Sequence, residues 1–193
     1  METKKKIMLV LLKDFNSRHT VSSIAKSLGL SRTGAWKIVK KLEAEEYILS
    51  EAVGAGKTAV SLISINWENP LVEKALSFYL AEESVKQRRW RTNFAELEKE
   101  VEFLILYGSI LSGSKNAKDI DILAIVKKGK FVKIQKIIDK IQKTESKKIH
   151  MIDFTPSEFR KELRNNNKAF INALNNGVIL FGQERFVCFM KNE

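Results

Sequence analysis

The sequence predicts an α+β protein in which an N-terminal helical domain and a C-terminal small mixed sheet with flanking helices are joined by a helical connector. Apolar residues recur at helical spacing through the first 42 residues. Two segments rich in β-branched residues then flank GAGK as a hairpin. Beyond residue 100, strand-like and helix-like segments alternate, as in an α/β or α+β layer. We place the three parts at residues 1–66, 67–100 and 101–193.

The N-terminal part begins with three predicted helices. The first covers Lys4–Phe15, and the second follows Thr20 as its N-cap and ends at Gly29. Ser31 caps the third helix, whose inward face is formed by Ala35, Ile38, Val39 and Leu42. Two short helices joined by a glycine-containing turn are the helix-turn-helix signature.

The outward face of the third helix carries side chains suited to DNA. A recognition helix contacts base edges with its N-terminal polar residues and phosphates with its basic residues. The candidates are Ser31, Arg32, Thr33, Trp36, Lys37 and Lys40. The following hairpin, ILSEAV and TAVSLISI, turns at GAGK and would bring Lys57 near a phosphate. GAGKT resembles the end of a phosphate-binding P-loop, but Glu51 stands where that motif needs its first glycine.

Residues 1–66 resemble the winged helix-turn-helix domains of bacterial and archaeal transcription regulators. The resemblance implies that the hairpin is the wing, that double-stranded DNA is a partner, and that the protein is a homodimer binding two half-sites. It predicts no operator sequence. The alternative is a helical domain used only for protein contacts or dimerisation.

The composition favours a polyanionic partner. The chain has 193 residues, a net charge of +11 and a pI near 9.7. A generally basic soluble surface is the alternative. The single cysteine, Cys188, rules out an intrachain disulfide framework and a cysteine-rich zinc site. No segment approaches the ~20 apolar residues of a membrane span, so we expect a cytoplasmic protein with no membrane partner.

The connector opens at Asn69-Pro70 and is rich in helix-forming residues. Its basic cluster, Lys86–Arg91 around Trp90, could bind nucleic acid. A solvated helix face with one packed tryptophan is at least as good an interpretation. A helix of this length could also pair two subunits.

The C-terminal part places carboxylates inside apolar strands. Side chains alternate across a strand, so Asp119 and Asp121 point the same way, and two nearby carboxylates repel unless a cation lies between them. Asp153, in a third strand, could approach this pair. Oxygen ligands favour Mg²⁺ or Mn²⁺ over Zn²⁺. Gly108-Ser109 offers bare backbone N–H groups and a hydroxyl where a helical turn begins, which predicts an anion site.

This arrangement resembles the nucleotidyltransferase superfamily of DNA polymerase beta, in particular its minimal members, across about residues 101–185. Gly108-Ser109 is followed by nine residues, then by Asp119-Ile120-Asp121, and later by Asp153. The resemblance implies that Asp119 and Asp121 hold two Mg²⁺ ions on an NTP, and that Gly108 and Ser109 grip its terminal phosphates. It implies that Asp153 helps bind the catalytic metal and activates the acceptor hydroxyl. Lys118 departs from the family pattern, in which serine often precedes the first aspartate.

Two functions follow from these resemblances. The first is an enzyme that transfers NMP from an NTP to an unknown acceptor, protein or nucleic acid, with release of pyrophosphate. The second is a transcription regulator whose second domain only senses a nucleotide or mediates assembly. The sequence names neither the acceptor nor the preferred NTP.

Overall fold

The computed structural model describes residues 2–54, 60–113 and 117–193. The chain divides into two compact units, Met1–Tyr79 and Leu80–Glu193. The three-part division at residues 66 and 100 stays a prediction. In the described part of the chain, no helix is both long enough and apolar enough to cross a membrane.

The first unit contains the three predicted N-terminal helices, α1 (Glu2–Lys13), α2 (Val21–Leu28) and α3 (Arg32–Ala44). The predicted caps are confirmed. The Thr20 hydroxyl accepts from the Ser23 amide at 3.1 Å, and the Ser31 hydroxyl accepts from the Gly34 amide at 3.0 Å. Gly29 ends α2 with φ +63°, a left-handed conformation that favours glycine.

A hairpin follows the three helices, as predicted. Strands β1 (Ile48–Val53) and β2 (Val60–Ile65) run antiparallel, with Ile48 opposite Ile65. Next comes α4 (Pro70–Lys86), within which the division between the units falls. Lys57 and the rest of the P-loop-like turn after Gly54 lie outside the described residues.

The second unit is built on one mixed sheet of four strands. Its elements are α5 (Arg88–Asn93), β3 (Val101–Tyr107), β4 (Asp119–Val126), α6 (Phe131–Gln142), β5 (Lys148–Phe154), α7 (Pro156–Arg164), α8 (Lys168–Asn176), β6 (Val178–Phe181) and α9 (Gln183–Lys191). Short 3-10 turns lie at Ala95–Leu97 and Gly108–Leu111. The strand order is β5-β4-β3-β6, in which β4 and β5 are parallel and the other pairs antiparallel.

The two faces of this sheet have different side chains. Leu104 lies opposite Ala124 and Leu106 opposite Ile122, and these residues join a buried cluster with residues of α5 and α6 such as Trp90 and Ile134. On the other face, Phe103 packs against aromatic residues of α7 and α9. Because side chains alternate, the residues that share the Phe103 face include Tyr107, Asp119, Asp121 and His150.

The basic cluster of the connector is part of the packing of the second unit. Trp90 is 4% exposed. The Arg91 guanidinium donates to the Ser84 hydroxyl at 2.7 Å and to the Leu180 carbonyl at 2.8 Å. Arg89 forms an ion pair with Glu145 at 3.0 Å. These contacts support the interpretation of a helix face with one packed tryptophan over a nucleic-acid site.

The final helix, α9, was not anticipated. Gly182 precedes it with φ +77°, and a Cβ built there would overlap the Glu102 backbone, so this position requires glycine. Phe186, Val187 and Phe189 of α9 are buried. The helix therefore completes the core on the Phe103 face.

Candidate active site

The candidate site lies where three neighbouring strands bring polar side chains to one face of the sheet. Asp119 and Asp121 occupy the first and third positions of β4. On one side, Tyr107 at the end of β3 lies opposite Asp121. On the other, His150 of β5 lies opposite Asp121 in the parallel pair. Residues opposite one another share a face, so the two carboxylates and the imidazole converge.

The distances between these groups suit a shared cation. The His150 Nδ1 lies 3.4 Å from the Asp119 Oδ2 and 3.6 Å from the Asp121 Oδ1. One ligand atom from each of the three residues lies within 4.8 Å of the other two. Their side chains are 33%, 24% and 44% exposed for Asp119, Asp121 and His150, so an ion can reach the site from solvent.

Gly108 forms the neighbouring wall of the site. It follows β3 with φ +79°, and a Cβ built on it would overlap the Asp121 Oδ2. Glycine is therefore required for both backbone conformation and space. Ser109 follows in the 3-10 turn with an exposed side chain. The turn has only four residues, so any phosphate binding there depends on local N–H groups rather than on the dipole of a long helix.

The electrostatics of the site favour binding a positive charge. Burial raises the pKa of the Asp121 carboxyl above its ordinary value of 3.8, the Asp119 charge raises it further, and His150 opposes the rise. Burial also raises the pKa of the Tyr107 hydroxyl, with the Asp121 and Asp119 charges adding to the effect. A cation at the two carboxylates would relieve this repulsion.

The structure does not bring Asp153 to this site, and the expectation that it would approach the pair is corrected. Asp153 lies opposite Ala124, whose side chain points to the opposite face from Asp121. It also lies three residues beyond His150, which is about 10 Å along the strand. Asp153 lines an open depression of about 410 Å³ with residues that include Phe131, Glu158 and Lys161. Burial, and then the Glu158 charge, raise the pKa of its carboxyl.

His150 is the residue of the cluster that we did not predict from the sequence. The signal was present in the alternation of KIHMIDF: Ile149 and Met151 are core-type residues, so His150 must point the other way. Asp153 shares the Ile149 and Met151 face. Matching the core faces of β4 and β5 would therefore have selected His150 and excluded Asp153.

The donor set fits a divalent cation. Two carboxylates and one imidazole can hold a metal from one side and leave positions open for substrate and water. Carboxylates suit Mg²⁺ and Mn²⁺, whereas the imidazole nitrogen favours Mn²⁺ and later transition metals over Mg²⁺. A metal bound here would therefore have the expected oxygen ligands and one nitrogen ligand, which would alter the metal preference.

The predicted DNA-facing residues of α3 and its N-cap lie together on one exposed surface in the first unit. Ser31, Arg32, Thr33, Trp36, Lys37 and Lys40 are all exposed. Two of them also have local roles, because Ser31 caps α3 and Lys40 pairs with Glu43 at 2.6 Å. Helix α3 buries one face through Ala35, Val39 and Leu42, and on the other face Trp36 is 50% exposed.

Comparisons with known families match two separate segments of the chain. Residues 2–48 match the winged helix-turn-helix DNA-binding family. Residues 87–180 match the nucleotidyltransferase domain family. A search of curated proteins found no match.

Solved structures of Lactococcus lactis ZitR mutants are similar in part. One is 22% identical, with a TM-score of 0.37, and the match covers 49% of this chain and 62% of that chain, less than two thirds of its length. An apo-form mutant is 19% identical, with a TM-score of 0.35, over 75% of this chain and 82% of that chain.

Proposed function

We propose that this chain, which joins a winged helix-turn-helix DNA-binding region to a nucleotidyltransferase domain, transfers NMP from an NTP to an acceptor hydroxyl near the DNA that it binds. The acceptor class is a macromolecule, either a protein or a nucleic-acid end. The products are the nucleotidylated acceptor and pyrophosphate.

The observation that carries the proposal is the pairing of Asp119 and Asp121 on one face of β4 beside Gly108. Two carboxylates with an imidazole whose ligand atom lies within 4.8 Å of theirs could hold a cation. Because Gly108 has no side chain, a triphosphate could approach the protein backbone closely at this turn. The same few residues would therefore hold both a metal and the phosphates attached to it.

Each residue has a defined part in the reaction. Asp119, Asp121 and His150 would hold a divalent metal, Mn²⁺ or Mg²⁺, which supplies positive charge to the triphosphate when bound. Gly108 and Ser109 would orient the terminal phosphates through backbone N–H groups and the hydroxyl. The acceptor oxygen forms a bond with the α-phosphorus and loses its proton to solvent. The bond from the α-phosphorus to the bridging oxygen breaks, and pyrophosphate leaves.

DNA binding would determine where this chemistry takes place. The exposed surface of α3 presents basic, hydroxyl and aromatic groups, which suit phosphate and base contacts in a major groove. The net charge of +11 supports electrostatic attraction to the duplex.

The test is incubation of the purified chain with each α-labelled NTP, Mn²⁺ or Mg²⁺, and a lysate from its own source. The control is the Asp119→Asn/Asp121→Asn double variant. Label that the wild type alone transfers to a discrete macromolecule supports the proposal, and nuclease or protease treatment identifies the class of acceptor. Equal labelling by wild type and double variant would contradict the assignment of the metal site.

One observation favours a second function, a regulator that binds nucleotide without transferring it. Among the described residues, only two carboxylates share the candidate site, because Asp153 lies on the other face of the sheet. A site with fewer carboxylates is less suited to hold two metal ions. NTP binding that requires Asp119 and Asp121, with no transfer under any metal, would favour this regulator.

A further inference from the structure

Helix α4 exposes a row of large apolar side chains. Leu71, Phe78 and Val85 are 62%, 58% and 65% exposed. They are spaced seven residues apart, which is nearly two helical turns, so they lie almost in line along the helix. The opposite face of α4 is occupied by fully buried residues, among them Val72, Leu76 and Leu80. The stripe is therefore additional to the face that α4 uses for packing within the chain.

The residues around this stripe are symmetric about Phe78. Leu71 and Val85 lie seven positions on either side of it. Lys74 and Glu82 lie four positions on either side, and Ala75 and Ala81 lie three. All of these positions fall on or beside the line through the exposed apolar residues, because offsets of three, four and seven share a helix face.

This symmetry matters for pairing with an identical helix. In an antiparallel pair with a two-fold axis at Phe78, each residue faces the one at equal distance on the other side of the axis. Lys74 of each copy then lies opposite Glu82 of the other, and Leu71 of each copy lies opposite Val85 of the other. The two Phe78 side chains meet at the axis. The small side chains Ala75 and Ala81 face each other and let the helices approach closely.

A parallel pair would place the charges badly. Lys74 would face Lys74 and Glu82 would face Glu82, and like charges across a helix interface are unfavourable. The distribution of charge therefore distinguishes the two orientations of the same apolar stripe. It also favours a second copy of this chain as the partner, because the charges and apolar residues of α4 match those of an identical antiparallel helix.

We propose that α4 pairs antiparallel with α4 of a second copy of this chain, around a two-fold axis at Phe78. The dimer carries two DNA-binding surfaces and two candidate active sites. The proposal goes beyond the function proposed above and does not depend on catalysis, since it rests only on residues of α4.

The first experiment is sedimentation velocity of the full chain over a range of concentrations. We expect a monomer–dimer equilibrium in the wild type. Phe78→Glu places two carboxylates at the axis and should abolish the dimer. The matched control is Val132→Glu, a change at an apolar residue that is 69% exposed on α6, and this variant should dimerise like the wild type.

Charge reversal tests the orientation. Lys74→Glu or Glu82→Lys alone puts like charges opposite each other at two symmetric positions and should weaken the dimer by about tenfold. The double variant Lys74→Glu/Glu82→Lys restores opposite charges in the antiparallel pair only, and it should recover wild-type dimerisation. Both residues also interact within the chain, so the folding of each variant is checked by its thermal transition.

Cysteine cross-linking gives an independent result in a Cys188→Ser background. Phe78→Cys should form a disulfide-linked dimer with itself. Leu71→Cys should cross-link when mixed with Val85→Cys, and neither should cross-link alone. Self-linking by Leu71→Cys would overturn the antiparallel pairing. Two results would overturn the interface itself. One is a wild-type chain that stays monomeric at all concentrations, and the other is a dimer that Phe78→Glu leaves unchanged.

Discussion

His150 of β5 lies directly opposite Asp121 of β4, with its Nδ1 3.6 Å from the Asp121 Oδ1. This pairing brings an imidazole to the position where a third carboxylate was expected. If the site holds a metal, the imidazole would influence which metal it prefers.

Replacing His150 with aspartate should shift the metal preference towards Mg²⁺. His150→Asp exchanges a nitrogen ligand for an oxygen ligand, so the Mn²⁺-over-Mg²⁺ ratio of affinities should fall by about tenfold, equal to about 1.4 kcal/mol. Titration calorimetry with each metal measures the ratio. His19→Asn is the control for loss of a histidine, because the His19 Nε2 contacts the Asp14 carbonyl at 2.7 Å in the first unit. An unchanged ratio in His150→Asp would remove His150 from the ligand set.

Replacing Asp121 with asparagine should stabilise the metal-free protein at neutral pH. Burial and the Asp119 charge raise the pKa of the Asp121 carboxyl in the folded chain above 3.8. As pH rises above 3.8, the Asp121 carboxyl ionises in the unfolded chain before it ionises in the folded chain. The free energy of unfolding therefore falls over this range. The loss is complete once the pH exceeds the folded-state pKa. The amide that Asp121→Asn introduces has no carboxyl group to ionise, so the variant avoids this cost.

Chemical denaturation at several pH values checks this prediction. The advantage of Asp121→Asn over the wild type should be full at pH 7 and should shrink as pH falls towards 3.8. Added Mn²⁺ should stabilise the wild type and leave the variant unchanged. A variant that is less stable than the wild type at pH 7 would show that the contacts of Asp121 with His150 outweigh its burial and its repulsion by Asp119.

Replacing Gly108 with alanine should damage both stability and metal binding. The residue has φ +79°, and its new Cβ would overlap the Asp121 carboxylate, so we expect a loss of roughly 1–3 kcal/mol in the free energy of unfolding. Gly129→Ala is the matched control, because Gly129 has φ +90° and no heavy atom of the described residues lies within 4 Å of its built Cβ. It should show the backbone cost alone and keep wild-type Mn²⁺ affinity. Equal effects in both variants would mean that Asp121 moves aside freely.

Replacing Lys37 with alanine should weaken binding to all DNA sequences alike. Loss of one phosphate contact should reduce the slope of log affinity against log salt by about 0.9. Fluorescence anisotropy at several salt concentrations measures this slope. Lys136→Ala removes the same charge from an exposed position of α6 in the second unit, so it should leave the slope unchanged. Lys40→Ala should have a smaller effect than Lys37→Ala, because Lys40 is already paired with Glu43.

Replacing Asp153 with asparagine should leave nucleotidyl transfer intact. Asp153 lies on the opposite face of the sheet from Asp121, so the change removes a carboxylate from the strand of His150 without altering the candidate site. Transfer assays on Asp153→Asn and Asp121→Asn should therefore give opposite results. A comparable loss of transfer in both variants would return Asp153 to the catalytic residues.

The sequence by itself determined the features that depend on near neighbours in the chain. Thr20 and Ser31 cap helices by accepting from amides three residues away, so the starts of these helices could be predicted from local sequence. Asp119 and Asp121 share a face because side chains alternate along any strand. Gly108-Ser109 was marked as a turn by its residue types. These interactions join residues only a few positions apart in the chain.

Only the tertiary structure decided which distant residues meet these local features. The parallel register of β4 and β5 selected His150 over Asp153, although both lie in the same predicted strand. Trp90 packs into the core of the second unit, and Arg91 bonds to Ser84 and Leu180. Two residues of the basic cluster therefore hold the second unit together, while Lys86, Arg88 and Arg89 stay exposed. Strand pairing and burial join segments far apart in the chain, so their outcome depends on how whole faces fit together rather than on local spacing.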